Sequence, residues 1–432
     1  MKTFLNLKIL IIFIFLNLNV YGDEPPKTIL YAVLDGYCCG GEESDPHAVH
    51  GVEAPNNGFI LSGKSIDKKG FENGFVIKIP NDLPKTKLFL NPEEEFSFDW
   101  SHNFGTDGRK DGANGSAYIF NSVFVAGYLQ NDKGVIDRYL SKINIADGSL
   151  IWKKTFPSNN ANKNSAFESI QTTSDNGLIL SGVKNSNKET FEGFKSYGNP
   201  QSGNAFVMYL NKEQIASNSP PTEPFWETDL VKSLSGKTVK ELMNDEKGFI
   251  IASSSLNEPR ISKLIKIDNK GKIIWSKEYP VHGEITDLDV SYINNETDGY
   301  YISGHNHDKN GGIDGSITKI SKDGSLIWNK NYGNPNGGKN KFKGLDAGNK
   351  KLIFDECWGI SSLVNGGAVM ACGTGIEDCE EFNNDAKLYS ECKNDPRTTW
   401  RSLLIRVNKH GDKIWEKFGS FTFPGEEDDT DV

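Results

Sequence analysis

The chain has 432 residues, a formal net charge of -10 at pH 7 and 44 glycines. This acidic balance excludes nucleic-acid binding through a basic surface, because no stripe of lysine and arginine is present to neutralise phosphates. Frequent Asn-Gly, Asp-Gly and Lys-Gly pairs, with many β-branched and aromatic residues, predict short strands joined by tight turns.

The amino-terminal segment has the pattern of a secretory signal peptide. Lys2 and Lys8 supply positive charge, residues 9–18 are apolar, and a polar segment follows Gly22. The apolar run is short for a membrane span, and an uncleaved anchor is the alternative. We expect a secreted or cell-surface protein, or a periplasmic one if the source is Gram-negative. The predicted domains are a signal peptide at 1–22, a single β domain at 23–423 and an acidic disordered tail at 424–432.

Six units of similar sequence follow one another after this segment. In each unit a turn pair precedes an apolar strand, and a small residue stands five positions after the second turn residue. The small residues are Gly63, Gly127, Gly182, Ser253, Gly304 and Cys372. Recurrence at one offset indicates that every unit builds the same β-hairpin.

The later half of each unit carries a cation and a tryptophan. An apolar-cationic-apolar step such as Ile265-Lys266-Ile267 runs into a polar turn, and the tryptophan follows. The tryptophans are Trp100, Trp152, Trp226, Trp275, Trp328 and Trp415. We expect their rings to fill wedges between packed sheets rather than to enclose a cofactor.

Each unit therefore has four short strands, here called a to d. The predicted fold class is all-β, a six-bladed β-propeller with four antiparallel strands per blade. Seven blades are the alternative, because residues 28–34 would be able to form part of a further blade. A solenoid of hairpins is a second alternative.

With the repeats aligned, the segments INIADGSLIWKKTF, IKIDNKGKIIWSKEY and ITKISKDGSLIWNKNYG resemble the Gly-x-x-x-Trp repeats of quinoprotein-type propellers. Halves such as SIQTTSDNGLILSG are similar to long-repeat propellers of secreted bacterial surface proteins. The resemblance covers residues 50–420 and implies architecture only, because the fold hosts many unrelated activities. Some quinone-dependent dehydrogenases with such repeats have a vicinal disulfide, which would correspond here to Cys38-Cys39. Their calcium ligands have no counterparts that can be matched in this chain.

The cysteines lie in or beside the first and last units, and export predicts that they form disulfides. Several connectivities are open. Cys357 and Cys372 are expected on adjacent strands, Cys379 and Cys392 share one loop, and Cys38 with Cys39 would be able to bond to blade 6 across the seam of the ring. The candidates are Cys38, Cys39, Cys357, Cys372, Cys379 and Cys392.

The b–c loops and d–a connections should lie on one face of the propeller. This face is the predicted binding face, because the long insertions at 183–203 and 373–400 are in b–c loops. Histidines spaced as His-x-His suit a transition metal or proton transfer, and solvated surface histidines are the alternative. The binding-face candidates are His47, His50, His305, His307 and Trp358.

Acidic residues occupy equivalent slots in the b–c loops of blades 2 and 5. Asp137 and Asp314 share one slot, and Asp132 and Asp308 lie near another. Oxygen ligands at this spacing suit calcium, so Asp308 and Asp314 are the candidate metal ligands and calcium is the only cofactor suggested. Asx-turns that cap the strand ends explain the same residues without a metal.

The sequence contains no Gly-x-Ser-x-Gly elbow and no His-Glu-x-x-His. Asn114 and Asn295 begin sequons and are glycan acceptors if the source is eukaryotic. The sequence predicts a non-catalytic binding or scaffold propeller, whose partner is a protein or glycan on the b–c face. The alternative is an enzyme at the channel mouth, either a quinoprotein-like oxidoreductase or a hydrolase or lyase. An enzyme should bring ionisable side chains from several blades together.

Overall fold

A computed structural model describes residues 45–54, 58–66, 71–80, 98–105, 108–157, 162–187, 202–243, 246–256, 261–281, 284–307, 313–333, 354–364, 366–375, 387, 390 and 401–419. The predicted signal peptide, the segment at 28–34 and the acidic tail lie outside these residues. So do several of the candidate site residues, namely Cys38, Cys39, Cys379, Cys392 and Asp308.

Within the described residues, the strands form six four-stranded antiparallel sheets in a ring, so the predicted six-bladed propeller is confirmed. Blades 1 and 2 comprise β1 (Asp45–Ala54), β2 (Gly58–Ile66), β3 (Glu72–Ile79), β4 (Trp100–Phe104), β5 (Asp111–Ile119), β6 (Ser122–Gln130), β7 (Ile136–Asn144) and β8 (Leu150–Phe156). Blades 3 and 4 comprise β9 (Asn164–Thr172), β10 (Leu178–Ser186), β11 (Asn204–Leu210), β12 (Trp226–Asp229), β13 (Ser233–Leu242), β14 (Gly248–Ser255), β15 (Ser262–Ile267) and β16 (Ile273–Tyr279). Blades 5 and 6 comprise β17 (Glu284–Ile293), β18 (Glu296–His307), β19 (Ile313–Ser321), β20 (Leu326–Tyr332), β21 (Phe354–Ser362), β22 (Ala368–Gly375), β23 (Arg401–Val407) and β24 (Lys413–Gly419).

Strand a of each blade is the innermost strand and strand d the outermost. In every blade the strands pair in the order a, b, c, d. Consecutive a strands contact one another from β1 to β21, so they surround the axis. A short helix, α1 (Lys212–Ala216), lies between β11 and β12 and is capped by Asn211. One parallel bridge, between Ile313 and Phe354, joins blades 5 and 6.

In blades 1, 2 and 5 the tryptophan of strand d bonds to the next blade, as predicted. The Nε1 of Trp152 donates to the carbonyl of Ser217 in blade 3, and that of Trp328 donates to Lys409 in blade 6. Within each sheet, the tryptophan of strand d lies opposite a residue of strand c. That residue is the repeated cation in five blades and Tyr209 in blade 3. The wedge interpretation is therefore confirmed for these interfaces, and each buried ring contributes on the order of 2–3 kcal/mol through apolar burial.

Strand a of every blade carries a β-bulge at the same position. Its pairing with strand b skips one residue, which is Val49, Asn114, Glu168, Lys237, Thr286 or Trp358. The small residue of the repeat pairs with the residue before the bulge, as in Ala113–Gly127. A Cβ on Gly127 would lie 1.9 Å from the carbonyl oxygen of Gly112. The small residue thus leaves room for the backbone of the bulged strand.

Candidate functional site

The inner edge of strand a carries backbone N–H groups that strand b cannot pair, and the preceding blade supplies acceptors for them. Each acceptor follows the bulge by one residue, and each donor lies two residues after the next bulge. The pairs are Ser116 N to His50 Nδ1 (3.3 Å), Val239 N to Ser169 Oγ (3.4 Å) and Ile360 N to Asp287 Oδ2 (3.1 Å). Side chains therefore bond the exposed strand edges across the blade interfaces, which prevents other chains from pairing there.

The bulge residues themselves also bond across these interfaces. The Nδ2 of Asn114 donates to the carbonyl of Phe167 at 2.8 Å, and the Oγ1 of Thr286 donates to the carbonyl of Cys357 at 2.7 Å. Both acceptors are the residues that precede the next bulge. The bulge is thus a polar contact between blades, placed at one level around the axis.

Four of the bulge side chains are almost completely buried, and one is not. Asn114, Glu168, Lys237 and Thr286 are 1–3% exposed, whereas Trp358 of blade 6 is partly exposed. The side chain of Val49, the sixth bulge residue, lies outside the description. Trp358 is therefore the bulge residue that is open to a ligand in the described part of the ring.

The indole of Trp358 packs against His305, which lies near the end of strand b of blade 5. The two ring centroids are 5.3 Å apart with an interplanar angle of 79°, an edge-to-face contact. His305 is 7% exposed and so forms a buried wall behind the partly exposed indole. The sequence placed both residues on the binding face, and the structure brings them together.

The backbone on either side of Trp358 is fixed by three bonds. Cys357 forms a disulfide with Cys372 on the neighbouring strand, and its carbonyl accepts from Thr286. The N–H of Ile360 donates to Asp287. A Cβ on Gly315 of blade 5 would lie 2.2 Å from the Sγ of Cys357, so the disulfide packs tightly against that blade. Trp358 thus stands on a rigid backbone.

The disulfide decides between the connectivities that the sequence left open for this pair. Cys357 and Cys372 bond to each other, so the alternative in which they bond to Cys38 and Cys39 across the seam is wrong. The pair joins strands a and b of one blade, where the two residues lie directly opposite each other. Covalent closure of the ring through these two sulfurs is thereby excluded.

Ionisable side chains of different blades meet at a second place, around Tyr128. Its hydroxyl donates to Glu72 of blade 1 at 2.7 Å, and Lys64 donates to the other oxygen of Glu72 at 2.9 Å. Burial raises the pKa of Tyr128 far above its usual value, and the charges of Glu72, Glu168 and Asp111 raise that pKa further. Tyr128 is fully buried and bonds to Glu72 of the neighbouring blade, so this network joins blades 1 and 2.

Of the other histidine candidates, the structure describes the side chain of His50 alone. His50 bonds to Ser116 between blades 1 and 2. The backbone of His47 pairs with Lys64, and that of His307 pairs with Ile313. The side chains of His47 and His307 lie outside the description.

The acidic slots have a structural role in blade 2. The Oδ1 of Asn131 accepts from the N–H groups of Lys133 and Val135, and Asn131 donates to Asp137 at 3.0 Å. An Asx-turn is thus present, but Asn131 forms it, with Asp137 bonded to the Asn131 side chain, rather than one of the acidic residues. In blade 5 the backbone of Asp314 on strand c lies opposite that of Asn306 on strand b. Among the residues that the structure describes, no three His, Cys, Asp or Glu side chains are arranged to hold a metal ion.

The two sequons differ in exposure. Asn114 is 2% exposed and its amide nitrogen is bonded to Phe167, whereas Asn295 is exposed in the two-residue turn between β17 and β18. Asn294 and Asn295 have φ values of 50° and 68°, the left-handed pair that such a hairpin turn requires. A glycan would fit only at Asn295 in the folded blade.

The bulge residues Glu168, Lys237 and Thr286 were not identified from the sequence. Each stands in a strand without a regular alternation of polar and apolar residues, so no pattern distinguishes it. The repeated small residue on strand b was visible, and its position opposite the bulge is the signal that would have located them. To locate the bulge from this small residue, one needs the register between strands a and b. That register itself depends on where the bulge lies.

No helix among the described residues is long and apolar enough to cross a membrane. No protein-family model matches the sequence, and the search of curated proteins gives no match.

Solved structures of other propeller proteins are similar to this fold. The quinohemoprotein alcohol dehydrogenase of Comamonas testosteroni has a TM-score of 0.46 at 11% identity, over 87% of this chain and 62% of that one. The periplasmic gluconolactonase PpgL of Pseudomonas aeruginosa has a TM-score of 0.43 at 10% identity, over 85% and 83%. A putative 6-phosphogluconolactonase of Bacteroides uniformis has a TM-score of 0.42 at 8% identity, over 86% and 88%. The chain thus spans less than two thirds of the dehydrogenase, and at these scores nothing about its activity or site follows from the likeness.

Proposed function

We propose that this protein is an exported, non-catalytic propeller that binds a glycan at the mouth of its central channel, on the face of the b–c loops. The observation that carries the proposal is Trp358, a partly exposed indole on the innermost strand of blade 6. A rigid aromatic ring offers a flat apolar surface to the face of a sugar at little cost in conformational entropy. Export is supported by the signal pattern and by the disulfide.

The surroundings of Trp358 suit a small polar ligand better than a protein partner. A protein interface requires several large anchors spread over hundreds of Å². The large exposed apolar side chains at this face include Val231 and Leu256, which belong to the edge of blade 4 rather than to the Trp358 cluster. Among the described residues, Trp358 with His305 offers one compact aromatic contact, which suits a small ligand better than an extended protein interface.

The charge of the molecule favours neutral or amino sugars over acidic ones. The whole chain carries a formal net charge of -10 at pH 7. A negative surface repels uronic and sialic acids and does not repel neutral or amino sugars. The ligand class is therefore a neutral or cationic oligosaccharide.

The enzyme alternative has weaker support. It requires ionisable groups from different blades to converge where a substrate can reach them. Described groups of different blades do converge, in the set Lys64, Glu72 and Tyr128 and in the set Arg138, Lys184 and Glu227, but within each set they bond to one another. Binding without turnover is thus the better-supported function.

The test is a glycan array probed with the full-length protein and two variants. We expect wild type to bind neutral or amino oligosaccharides, and Trp358→Ala to lose this binding. Phe59→Ala is the matched control, because Phe59 is 45% exposed beside the a–b turn on the opposite face. Absence of binding to every glycan by wild type, or equal binding by Trp358→Ala, would overturn the proposal. Conversion of a bound oligosaccharide to a product would replace binding by catalysis.

A further inference from the structure

The disulfide in blade 6 occupies a position at which the other five blades have no covalent bond. Its two members are the residue before the bulge and the small residue opposite it. The corresponding pairs are Ala48–Gly63, Ala113–Gly127, Phe167–Gly182, Gly236–Ser253 and Ile285–Gly304. All five blades form the same bulge without a disulfide. The cross-link is therefore not needed to build the bulge.

What distinguishes blade 6 is the side chain on the bulge. In blades 2 and 5 the bulge residue is small enough to be buried, and it is held by a hydrogen bond to the next blade. Trp358 is large and partly exposed, and its ring packs edge-to-face on His305. An exposed indole loses packing on its open side. Without the disulfide, the backbone at Trp358 would therefore be freer to move than that of the buried bulge residues.

We propose that the Cys357–Cys372 disulfide is a positioning element of the binding site, which holds the bulge so that Trp358 keeps one orientation against His305. The bond joins the residue immediately before Trp358 to strand b, and its sulfur packs on Gly315 of blade 5. Gly315 pairs with His305, so the disulfide, the histidine and the indole belong to one rigid unit. The ligand part of this inference rests on the proposed function, whereas the positioning part does not.

The consequence for binding is preorganisation. If the indole sampled several orientations, a ligand would have to select one of them and would lose affinity in proportion. Immobilising one large side chain is worth about a tenfold change in affinity. The disulfide should therefore change how well the site binds more than whether the propeller folds.

The chain supplies the matched variant for the experiment. The double substitution Cys357→Ala with Cys372→Gly gives blade 6 the Ala113–Gly127 pair of blade 2, with no unpaired thiol left behind. Two readouts are made on the full-length protein. The first is the ¹⁹F NMR spectrum of fluorotryptophan-labelled protein, in which the Trp358 resonance is identified by its absence from Trp358→Phe. The second is the glycan array.

We expect one narrow Trp358 resonance in wild type and a broadened or split one in the double variant. The other tryptophan resonances and the melting temperature should stay close to wild type, and array binding should weaken about tenfold. An unchanged Trp358 resonance in the double variant would overturn the inference. A collective shift of all tryptophan resonances with early melting would also overturn it, because the disulfide would then act on global stability.

The two proposals fail separately. If wild type binds no glycan, the proposed function fails while the ¹⁹F readout still decides the positioning role. If wild type binds and Trp358→Ala does not, but the double variant binds like wild type, only the positioning role fails.

Discussion

The Nε1 of Trp100 in blade 1 donates a 2.8 Å hydrogen bond to the carbonyl of Ile145 in blade 2. The same ring lies over the turn that follows, where a Cβ on Gly148 would be 2.8 Å from the Cδ2 of Trp100. Gly148 also has a φ of 69°, a backbone conformation that residues other than glycine rarely adopt. The glycine in this turn thus meets two requirements: it adopts a left-handed backbone conformation, and it leaves room for the ring of the neighbouring tryptophan.

These two requirements can be separated with a pair of glycine substitutions. Gly148→Ala combines backbone strain with a collision, whereas Gly108→Ala has strain alone, because Gly108 has a φ of 82° and nothing within 4 Å of the added Cβ. We expect Gly148→Ala to lower the free energy of unfolding by about 1–3 kcal/mol more than Gly108→Ala. Urea unfolding measures both. Equal losses would show that Trp100 does not press on this turn.

Much of the fold could be predicted from the sequence because its repeated features are local. The turn pairs, the cation and the tryptophan lie a few residues apart and directly report hairpins, and Lys142 does lie opposite Trp152. The bulges could not be predicted, because one extra residue in a strand changes the register without changing composition. The sequence indicated that Trp358 lies on the binding face, but it did not indicate that Trp358 is a bulge residue. Its packing against His305 could not be predicted either, because the two residues belong to different blades.

The acceptor side chains between blades should contribute measurably to stability. Asp289 accepts from the N–H of Ser362 at 2.7 Å and from its hydroxyl at 2.8 Å. Asp289→Ala removes both bonds and leaves a strand-edge N–H in blade 6 without this acceptor, so we expect a loss of about 1–3 kcal/mol in urea unfolding. Asp289→Asn keeps one acceptor oxygen and should cost less.

The control for this prediction is an exposed ion pair. Asp132 pairs with Arg109 and its side chain is 87% exposed, so Asp132→Ala should change the free energy of unfolding by less than about 0.5 kcal/mol. If both alanine variants behave alike, the bonds between blades contribute nothing beyond an ordinary surface contact.

The difference between the two sequons predicts a single glycan. When the protein is secreted from a eukaryotic cell, the folded product should carry a glycan at Asn295 and none at Asn114. The exposed turn can accommodate it, whereas a glycan on Asn114 would have to replace the bond to Phe167 in the interior. Enzymatic deglycosylation with mass spectrometry measures site occupancy, and Asn295→Gln should abolish the mass shift. A glycan on Asn114 in folded protein would contradict the described packing of blade 2.

Buried tyrosines should set the alkaline limit of stability. Burial raises the pKa of Tyr279, Tyr300, Tyr301 and Tyr332 above the ordinary value of 10.0. Below pH 10 the folded and unfolded states both hold these protons, so the contribution to stability is complete. As pH rises further, only the unfolded state releases them, and stability falls by about 1.4 kcal/mol per pH unit for each tyrosine.

Buried lysines act in the opposite sense at lower pH, and they determine where the fall begins. Burial lowers the pKa of Lys142, Lys263 and Lys319 below 10.5, so their contribution makes stability rise with pH until 10.5 and then level off. We therefore expect the tyrosine effect to dominate above about pH 10.5, with tyrosinate absorbance and loss of the β-sheet circular dichroism signal appearing together. Tyr300→Phe removes one of the protons that unfolding releases, so the free energy of unfolding should fall less steeply with pH. Gradual tyrosinate formation while the β-sheet signal persists would mean that solvent reaches these hydroxyls in the folded ring.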